Sequence, residues 1–518
     1  MTDAHTLGRW PADRARIHPD RVAVVDRGVE LSYRELDRRS ALLAERLLAA
    51  GYRHGDRVAT LTGNSADQVV LFFACARAGL VLVPLSWRLT PRELTAQLAV
   101  CDPAVLLTEE ELTATARLAV SGLAAAVPVA RLGAAGVETT APAPWRAGPA
   151  EPGRRPVADD DPLLMVFTSG TGGSAKAAVL THASCFWTNL SLSRTLKLDE
   201  DDVALAVLPQ FHVGGWNIQP LLAWWSGATV VLERTFDAGR VLALIAAHGV
   251  TTMMAVPTQY LLLAEHPAFA ATDFTSLRTA VVGGAPMPAP LLRTFHARGV
   301  ALTQGYGLTE AGPNVLCVPP QHAFDRVGYA GLPYAHVDVA VADPATGAHL
   351  EGPATGELLV RGPGLFAGYF RDEAATRAAW RDGWLATGDV ATRDEDGYLR
   401  IVDRLKNIFI SGGENVAPAE VEQALGRHPG VAEAVVCGVP DDRWGEVGVA
   451  LVVPRPGVPV DAPELLAHCR EHLAGFKVPA ELHLVPELPH AGIGKIARER
   501  ARETVLALRP DPVPGDRS

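Results

Sequence analysis

The sequence predicts an α/β protein, with a large N-terminal body of layered α/β sheets, a β-rich lobe, and a small C-terminal α+β domain. Three observations predict it. From the N-terminus to about residue 320, helical patterns alternate with short apolar runs, the rhythm of parallel strands joined by crossover helices. From 337 to 398 the pattern changes to short strands with glycine turns, as in Gly356-Glu-Leu-Leu-Val-Arg-Gly362. After Arg404 a compact mixture of helix and strand begins, which sets the domains at 1–404 and 405–518.

Taken in order, residues 42–48 form an amphipathic helix and Arg57-Val-Ala-Thr-Leu61 a strand. A helix at 68–78 leads into Leu80-Val-Leu-Val-Pro84. The window 69–87 is the most apolar of the chain, but Arg77, Gly79 and Pro84 interrupt it. It reads as a buried helix and a buried strand, not a membrane span. Residues 133–161, rich in Ala, Pro and Gly, read as a surface loop. Strands resume at 163–167, 204–208, 229–232, 251–255 and 279–282. The C-terminal domain carries a helix at 418–425 and strands at 434–439 and 449–453.

Composition narrows the function. Hydrophobic residues make up 48% and charged residues 20% of 518, an ordinary globular balance. The net charge is −11 with no basic run, which argues against a nucleic-acid partner. Cys75, Cys101, Cys185, Cys317, Cys437 and Cys469 are dispersed without a CxxC pair, which fits a reduced, cytoplasmic protein better than a disulfide framework. Only five of the 47 basic residues are lysines: Lys176, Lys197, Lys406, Lys477 and Lys495. A chain so biased to arginine keeps lysine where a compact, movable ammonium is needed.

Four of those lysines fall inside motifs. Phe167-Thr-Ser-Gly-Thr-Gly-Gly-Ser-Ala-Lys176 follows a buried strand and combines hydroxyls, glycines and a cation. Its backbone N–H groups suit phosphate oxygens. It is not a Walker A loop, because Ala175 and Ala177 stand where Gly and Ser/Thr would be required. Gln304-Gly-Tyr-Gly-Leu-Thr-Glu310 offers an aromatic for a purine and a hard oxygen for Mg²⁺. Trp384-Leu-Ala-Thr-Gly-Asp389 places a carboxylate for ribose hydroxyls. Asp403-Arg-Leu-Lys-Asn-Ile-Phe-Ile-Ser-Gly-Gly-Glu-Asn415 and Leu488-Pro-His-Ala-Gly-Ile-Gly-Lys-Ile496 complete the set. His468-Cys-Arg-Glu-His472 matches HxxEH, but no third ligand helix is evident and 464–473 reads as an amphipathic helix, so no metal is expected there. Lys477 is expected to tie that helix to the following strand.

These five segments, in this order, resemble the adenylate-forming superfamily of acyl-CoA synthetases, luciferases and peptide-synthetase adenylation domains. The resemblance runs from Leu31-Ser-Tyr-Arg-Glu-Leu36 to Lys495. The segment Ala78-Gly-Leu-Val-Leu-Val-Pro-Leu-Ser-Trp-Arg-Leu-Thr-Pro-Arg-Glu-Leu94 is more similar to the fatty-acyl and aryl-CoA synthetase branch. It implies an ATP-dependent acid–CoA ligase that forms an acyl-adenylate, then a thioester, releasing AMP and pyrophosphate. The implied cofactors are ATP, Mg²⁺ and coenzyme A, and the partner is a small carboxylic acid. A carrier-protein thiol, an amine or nitrite is an alternative acceptor or acid, and a non-catalytic nucleotide-binding relative is a further alternative.

Residue by residue, the resemblance implies that Thr168, Ser169, Gly170, Thr171, Gly173 and Lys176 hold the outer phosphates. Tyr306, Gly305 and Gly307, with Gly283, Gly284, Ala285 and Pro286, enclose adenine. Thr309 meets the α-phosphate and Glu310 the Mg²⁺. Asp389 and Arg404 bind ribose, Lys406 is the hinge of a mobile C-terminal domain, and Lys495 contacts the substrate carboxylate. Gly412 and Gly413 lie on the path of coenzyme A. His212 gates the acid pocket, with Trp216 as pocket wall or core, and Gly284 and Gly307 border it. An aspartate at 212 would pair an amino-acid ammonium; a histidine does not at neutral pH, which disfavours α-amino acids. The chain departs from the family at Gly172, Ala175 and Ala177, where Thr, Pro and Gly are usual, and at His490 and Ala491. Losing the proline is expected to leave the phosphate loop less preorganised.

Overall fold

A computed structural model describes residues 5–133, 136–138, 155–169, 175–411, 414–441, 444–491 and 495–509. The backbone divides into two compact units, 1–339 with 360–385, and 340–359 with 386–518.

The first unit holds two large mixed sheets. In one, Arg57–Leu61 lies between the parallel strands Val81–Leu85 and Val105–Thr108. Strands covered on both faces become continuous apolar runs, which is why Val58, Ala59 and Leu61 are all buried. The helix expected at 42–48 is longer, Tyr33–Ala49. Ser32 starts it, accepting the Glu35 N–H at 3.2 Å, and Leu36, Ser40, Leu43, Ala44 and Leu47 line its buried face. The apolar window resolves into the buried helix Ala66–Ala78 and the strand Val81–Leu85. Gly79 ends that helix at φ 69°, where an added Cβ would lie 2.4 Å from the His54 ring. No helix among the described residues is long and apolar enough to cross a membrane.

In the other sheet the parallel strands Val203–Ala206, Thr252–Ala255, Thr279–Val282 and Leu302–Tyr306 are consecutive neighbours. Their core is the cluster around Leu205, Val231, Val241, Met253, Tyr260 and Phe295. In open α/β sheets ligands bind beyond the carboxyl ends of such strands.

The second unit contains most of the β lobe, including 354–359 and the hairpin of 386–393 with Leu399–Arg404. It also contains the α+β domain. There Val431–Asp441 and Gly445–Pro454 form a long antiparallel pair, beyond the expected 434–439 and 449–453. The helices Pro418–Leu425 and Ala462–His472 pack on one side of the sheet through Val421, Leu425, Leu465 and Cys469. At the strand end the Asp403 carboxylate accepts the N–H of Arg404 and of Ala419 and the Asn407 amide. That buried carboxylate ties the strand end to the helix Pro418–Leu425. All six cysteines are buried and free.

Candidate active site

Three of the sequence motifs lie at the carboxyl ends of parallel strands of one sheet. His212 lies in the turn after Val203–Ala206, Gly283 and Gly284 follow Thr279–Val282, and Tyr306 ends Leu302–Tyr306. The parallel register sets Val282 beside Gln304, so Gly283–Pro286 and Tyr306 leave the sheet at the same edge. Glycine is required along this edge. Gly284 has φ +80°, and a Cβ on Gly307 would lie 1.4 Å from the Pro313 carbonyl oxygen. Behind the edge, Asn217 donates to Gly312 and Asn314 donates to the Asn217 carbonyl, a buried network that fixes the turn containing Thr309 and Glu310. The Gln304 side-chain oxygen is buried with no hydrogen-bond partner. A buried acceptor left unpaired costs about 1–3 kcal/mol, so a donor brought by a bound molecule fits there.

The phosphate motif is less of a loop than the sequence suggests. Pro162–Ser169 and Ala175–Thr181 form an antiparallel hairpin that pairs Thr168 with Lys176 and Ser169 with Ala175. Alanine at 175 has an N–H and a free φ, so the strand runs on where a proline would interrupt it. Gly170, Thr171, Gly172 and Gly173 lie outside the described residues. Gly368–Tyr369 pairs with this hairpin, Tyr369 opposite Ala178. That register puts Tyr369 diagonally across from Lys176, whose ammonium sits 5.1 Å from the ring centroid. The Tyr369 hydroxyl donates to Glu310 Oε1 at 2.7 Å. Burial, and then the negative charge of Glu310, push the Tyr369 pKa up, so the hydroxyl stays a donor. The Phe366 N–H holds the Glu310 carbonyl at 2.9 Å. One carboxylate oxygen is thereby oriented and the other is left for a cation, a donor set that fits Mg²⁺.

Tyr369 was not among the candidate residues read from the sequence. Its signal was present in Gly368-Tyr-Phe370, but nothing local connects that segment to Glu310. Asp403 and Gln304 were likewise quoted within motifs and given no role.

In the second unit, Asp389 and Arg404 face each other across the hairpin register, with Arg404 Nε 2.7 Å from Asp389 Oδ1. Asp389 is buried and Arg404 exposed. Lys406 is exposed in the short turn Leu405–Asn407. Lys495 starts the strand Lys495–Ile496, whose partner is His490–Ala491. Gly412 and Gly413 lie outside the described residues. Lys477 is a structural tie, but to the helix Pro418–Leu425, with Nζ 2.7 Å from Glu420 Oε2.

His212 is half-buried, its ring 4.6 Å from that of Phe211. Trp216, offered above as pocket wall or core, is core. It is fully buried, stacks on Phe72 at 4.6 Å, and donates its indole N–H to the Gln210 carbonyl. A small crevice of about 10 Å³ in the same region is lined by Leu208, Gly214, Gly215, Ile218 and Met254, and neither His212 nor Trp216 lines it. A Cβ on Gly215 would lie 2.3 Å from the Pro209 carbonyl oxygen, and one on Gly214 3.1 Å from the Leu208 side chain.

Residues 12–370 match the family described as AMP-binding enzyme, and residues 420–495 match the AMP-binding enzyme C-terminal domain. The chain is 43% identical to a feruloyl-CoA synthase of Amycolatopsis, over 96% of this chain and 98% of that protein. It is 37% identical to the indoleacetate–CoA ligase of Aromatoleum aromaticum, with the same coverage. Among solved structures it is similar to the o-succinylbenzoate coenzyme A synthetase of Bacillus subtilis with ATP and magnesium ion, at 31% identity and a TM-score of 0.83, covering 95% of this chain and 99% of that one. The complex of that synthetase with its acyl-adenylate intermediate gives a TM-score of 0.84 at 31% identity, covering 95% and 98% of the two chains.

Proposed function

Because the chain belongs to the AMP-binding enzyme family and is an ATP-dependent, AMP-forming acid–CoA ligase working through an acyl-adenylate, we propose which residues do this work and on what acid. The acid is an aryl-substituted carboxylic acid of the feruloyl or indoleacetyl kind. The carrying observation is the 43% identity to feruloyl-CoA synthase over 96% of the chain. A histidine at 212 supports it, since it gives an ammonium no lasting ion pair.

A carboxylate attacking the α-phosphate brings two anions together, so cations must neutralise charge as the pentavalent state forms. Glu310 would hold Mg²⁺, whose positive charge would then lie next to the phosphates. Tyr369 sets the Glu310 oxygen and faces Lys176 over its ring, so one side chain positions both the metal ligand and the phosphate cation. Thr168, Ser169, Gly170, Thr171, Gly173 and Lys176 retain the departing pyrophosphate, and Thr309 meets the α-phosphate. Adenine lies at the edge formed by Gly283–Pro286 and Tyr306, with Gln304 Oε1 accepting from its amino group. Asp389, oriented by Arg404, binds the ribose hydroxyls. Lys495 neutralises the substrate carboxylate in the first step. Lys406 is the hinge that lets the C-terminal domain exchange faces before the coenzyme A step, where Gly412 and Gly413 line the thiol's path.

The test is pyrophosphate release with ferulic, indoleacetic, 2-succinylbenzoic, long-chain fatty and α-amino acids, each with and without coenzyme A. Fastest turnover on an arylalkenoic or arylacetic acid, dependent on coenzyme A, is the expected result. A preference for a fatty acid or amino acid would refute the assignment.

A further inference from the structure

We infer that the outer face of the helix Ala462–His472 binds one divalent transition-metal ion of the zinc kind, through His468, Glu471 and His472. The sequence argued against a metal because no further ligand helix is evident. The structure supplies all three ligands from one helix.

His468 and His472 are four residues apart and Glu471 is three from the first, so their side chains meet on one helical face. One ligand atom of each lies within 4.8 Å of those of the other two. Ligands at zinc's usual bond lengths stand about 3.3 Å apart in a tetrahedron, so a small rotation of exposed side chains closes the set.

The second observation is where the imidazole protons sit. A carbonyl oxygen only accepts, so His468 Nε2, 3.0 Å from the Ala424 carbonyl, carries a hydrogen and leaves its lone pair on Nδ1. His472 Nδ1 donates to the His468 carbonyl at 2.8 Å and leaves its lone pair on Nε2. Metal-ligating histidines show this same support, the second ring nitrogen donating to a backbone carbonyl. The Ala424 bond also anchors His468 to the neighbouring helix Pro418–Leu425, while Glu471 and His472 are exposed and movable.

The surroundings define the ion. Cys469 faces the core, buried with Val421, Leu425 and Leu465, and takes no part. His428, its ring centroid 5.1 Å from that of His468, is engaged by the Gly430 N–H and by Glu464. Two imidazoles and a carboxylate select zinc, copper or nickel over magnesium or calcium. A cation in the last helical turn is also favoured by the helix dipole. Water completes the coordination, and the ion braces the end of the helix.

The experiment uses the full chain, stripped with chelator, and measures Zn²⁺ by competition with a chromophoric chelator in excess Mg²⁺. Co²⁺ serves as a second probe, since its visible absorption reports inner-sphere ligands. One Zn²⁺ per chain is expected, with affinity falling about tenfold or more in His472→Ala and in Glu471→Gln, and with loss of the Co²⁺ band in His472→Ala. Both variants keep the Ala424 bond, and an unchanged melting temperature without metal shows that they fold. The absence of stoichiometric Zn²⁺ binding, or binding of undiminished affinity in both variants, would overturn the assignment.

Discussion

Tyr369→Phe removes one oxygen atom and tests the arrangement around Glu310, the proposed metal ligand. The hydroxyl holds Glu310 Oε1 at 2.7 Å, and the aromatic face remains for Lys176. A hydrogen bond to a charged group contributes about 1.5–3 kcal/mol, and the half-buried position puts this one near the lower end. A loss of ~1.5 kcal/mol is about tenfold in an equilibrium constant. The loss should fall on the magnesium–nucleotide complex, raising the KM for MgATP about tenfold and the Mg²⁺ concentration needed for half-maximal adenylation. Tyr369→Ala also removes the cation–π contact and should cost roughly a further 0.5–1 kcal/mol. The assay is acid-dependent ATP–pyrophosphate exchange across a Mg²⁺ series, with thermal melting alongside. An unchanged Mg²⁺ dependence in Tyr369→Phe, or a fall in kcat alone at constant KM, would refute the positioning role.

Four further expectations test other parts of the reading. Lys495→Ala should lower adenylate formation by orders of magnitude while thioester formation from presynthesised acyl-adenylate survives; equal loss in both half-reactions would make the residue structural. Lys406→Pro, in the exposed turn Leu405–Asn407, should leave adenylation intact and slow the thioester step at least ~100-fold, a barrier rise of about 2.7 kcal/mol; loss of both steps together would refute the hinge. Ala175→Pro with Ala177→Gly should fail to lower the KM for ATP, because the ladder through Ala175 already orders that strand; a clear drop would mean that pairing does not substitute for proline. His182 is buried, and burial lowers its imidazole pKa from 6.5 to about 4, so between those values the unfolded chain binds the extra proton. Stability should therefore fall as pH drops from 6.5 towards 4, by up to about 3 kcal/mol, and His182→Gln should flatten that slope in denaturant titrations.

The sequence was most readable where order comes from local pattern. The strands Thr229–Leu232 and Thr279–Val282 and the helix Pro418–Leu425 match their expected bounds because apolar runs and capping signals end where the elements end. The helix Tyr33–Ala49 was cut short because its first turns carry charges on the exposed side, and the buried Leu36 and Ser40 were not read as part of the stripe. The expected boundary at Arg404 followed a change of pattern, and Asp403 makes a hydrogen bond across it to Ala419.

Candidate residues could be read where motifs carry them and stayed hidden where a contact joins distant segments. Glu310 and Asp389 each lie in a short run whose glycines and hydroxyls announce a bound anion or sugar. Tyr369 lies 59 residues from Glu310, and the pairing of Gly368–Tyr369 with the hairpin strand and the Phe366 N–H bond to the Glu310 carbonyl bring the two together. The same pairing bears on the missing proline. A phosphate-binding hairpin needs its flanks ordered before ATP arrives, since ordering them on binding costs about 1–2 kcal/mol per residue. Proline provides that order by fixing one φ. Here the backbone ladder from Thr168 to Ala175, with Gly368–Tyr369 added along its outer strand, provides it by hydrogen bonding. Alanine at 175 then follows from the way this hairpin is ordered, and Tyr369 is the side chain through which the ordering strand reaches Glu310, the proposed metal ligand.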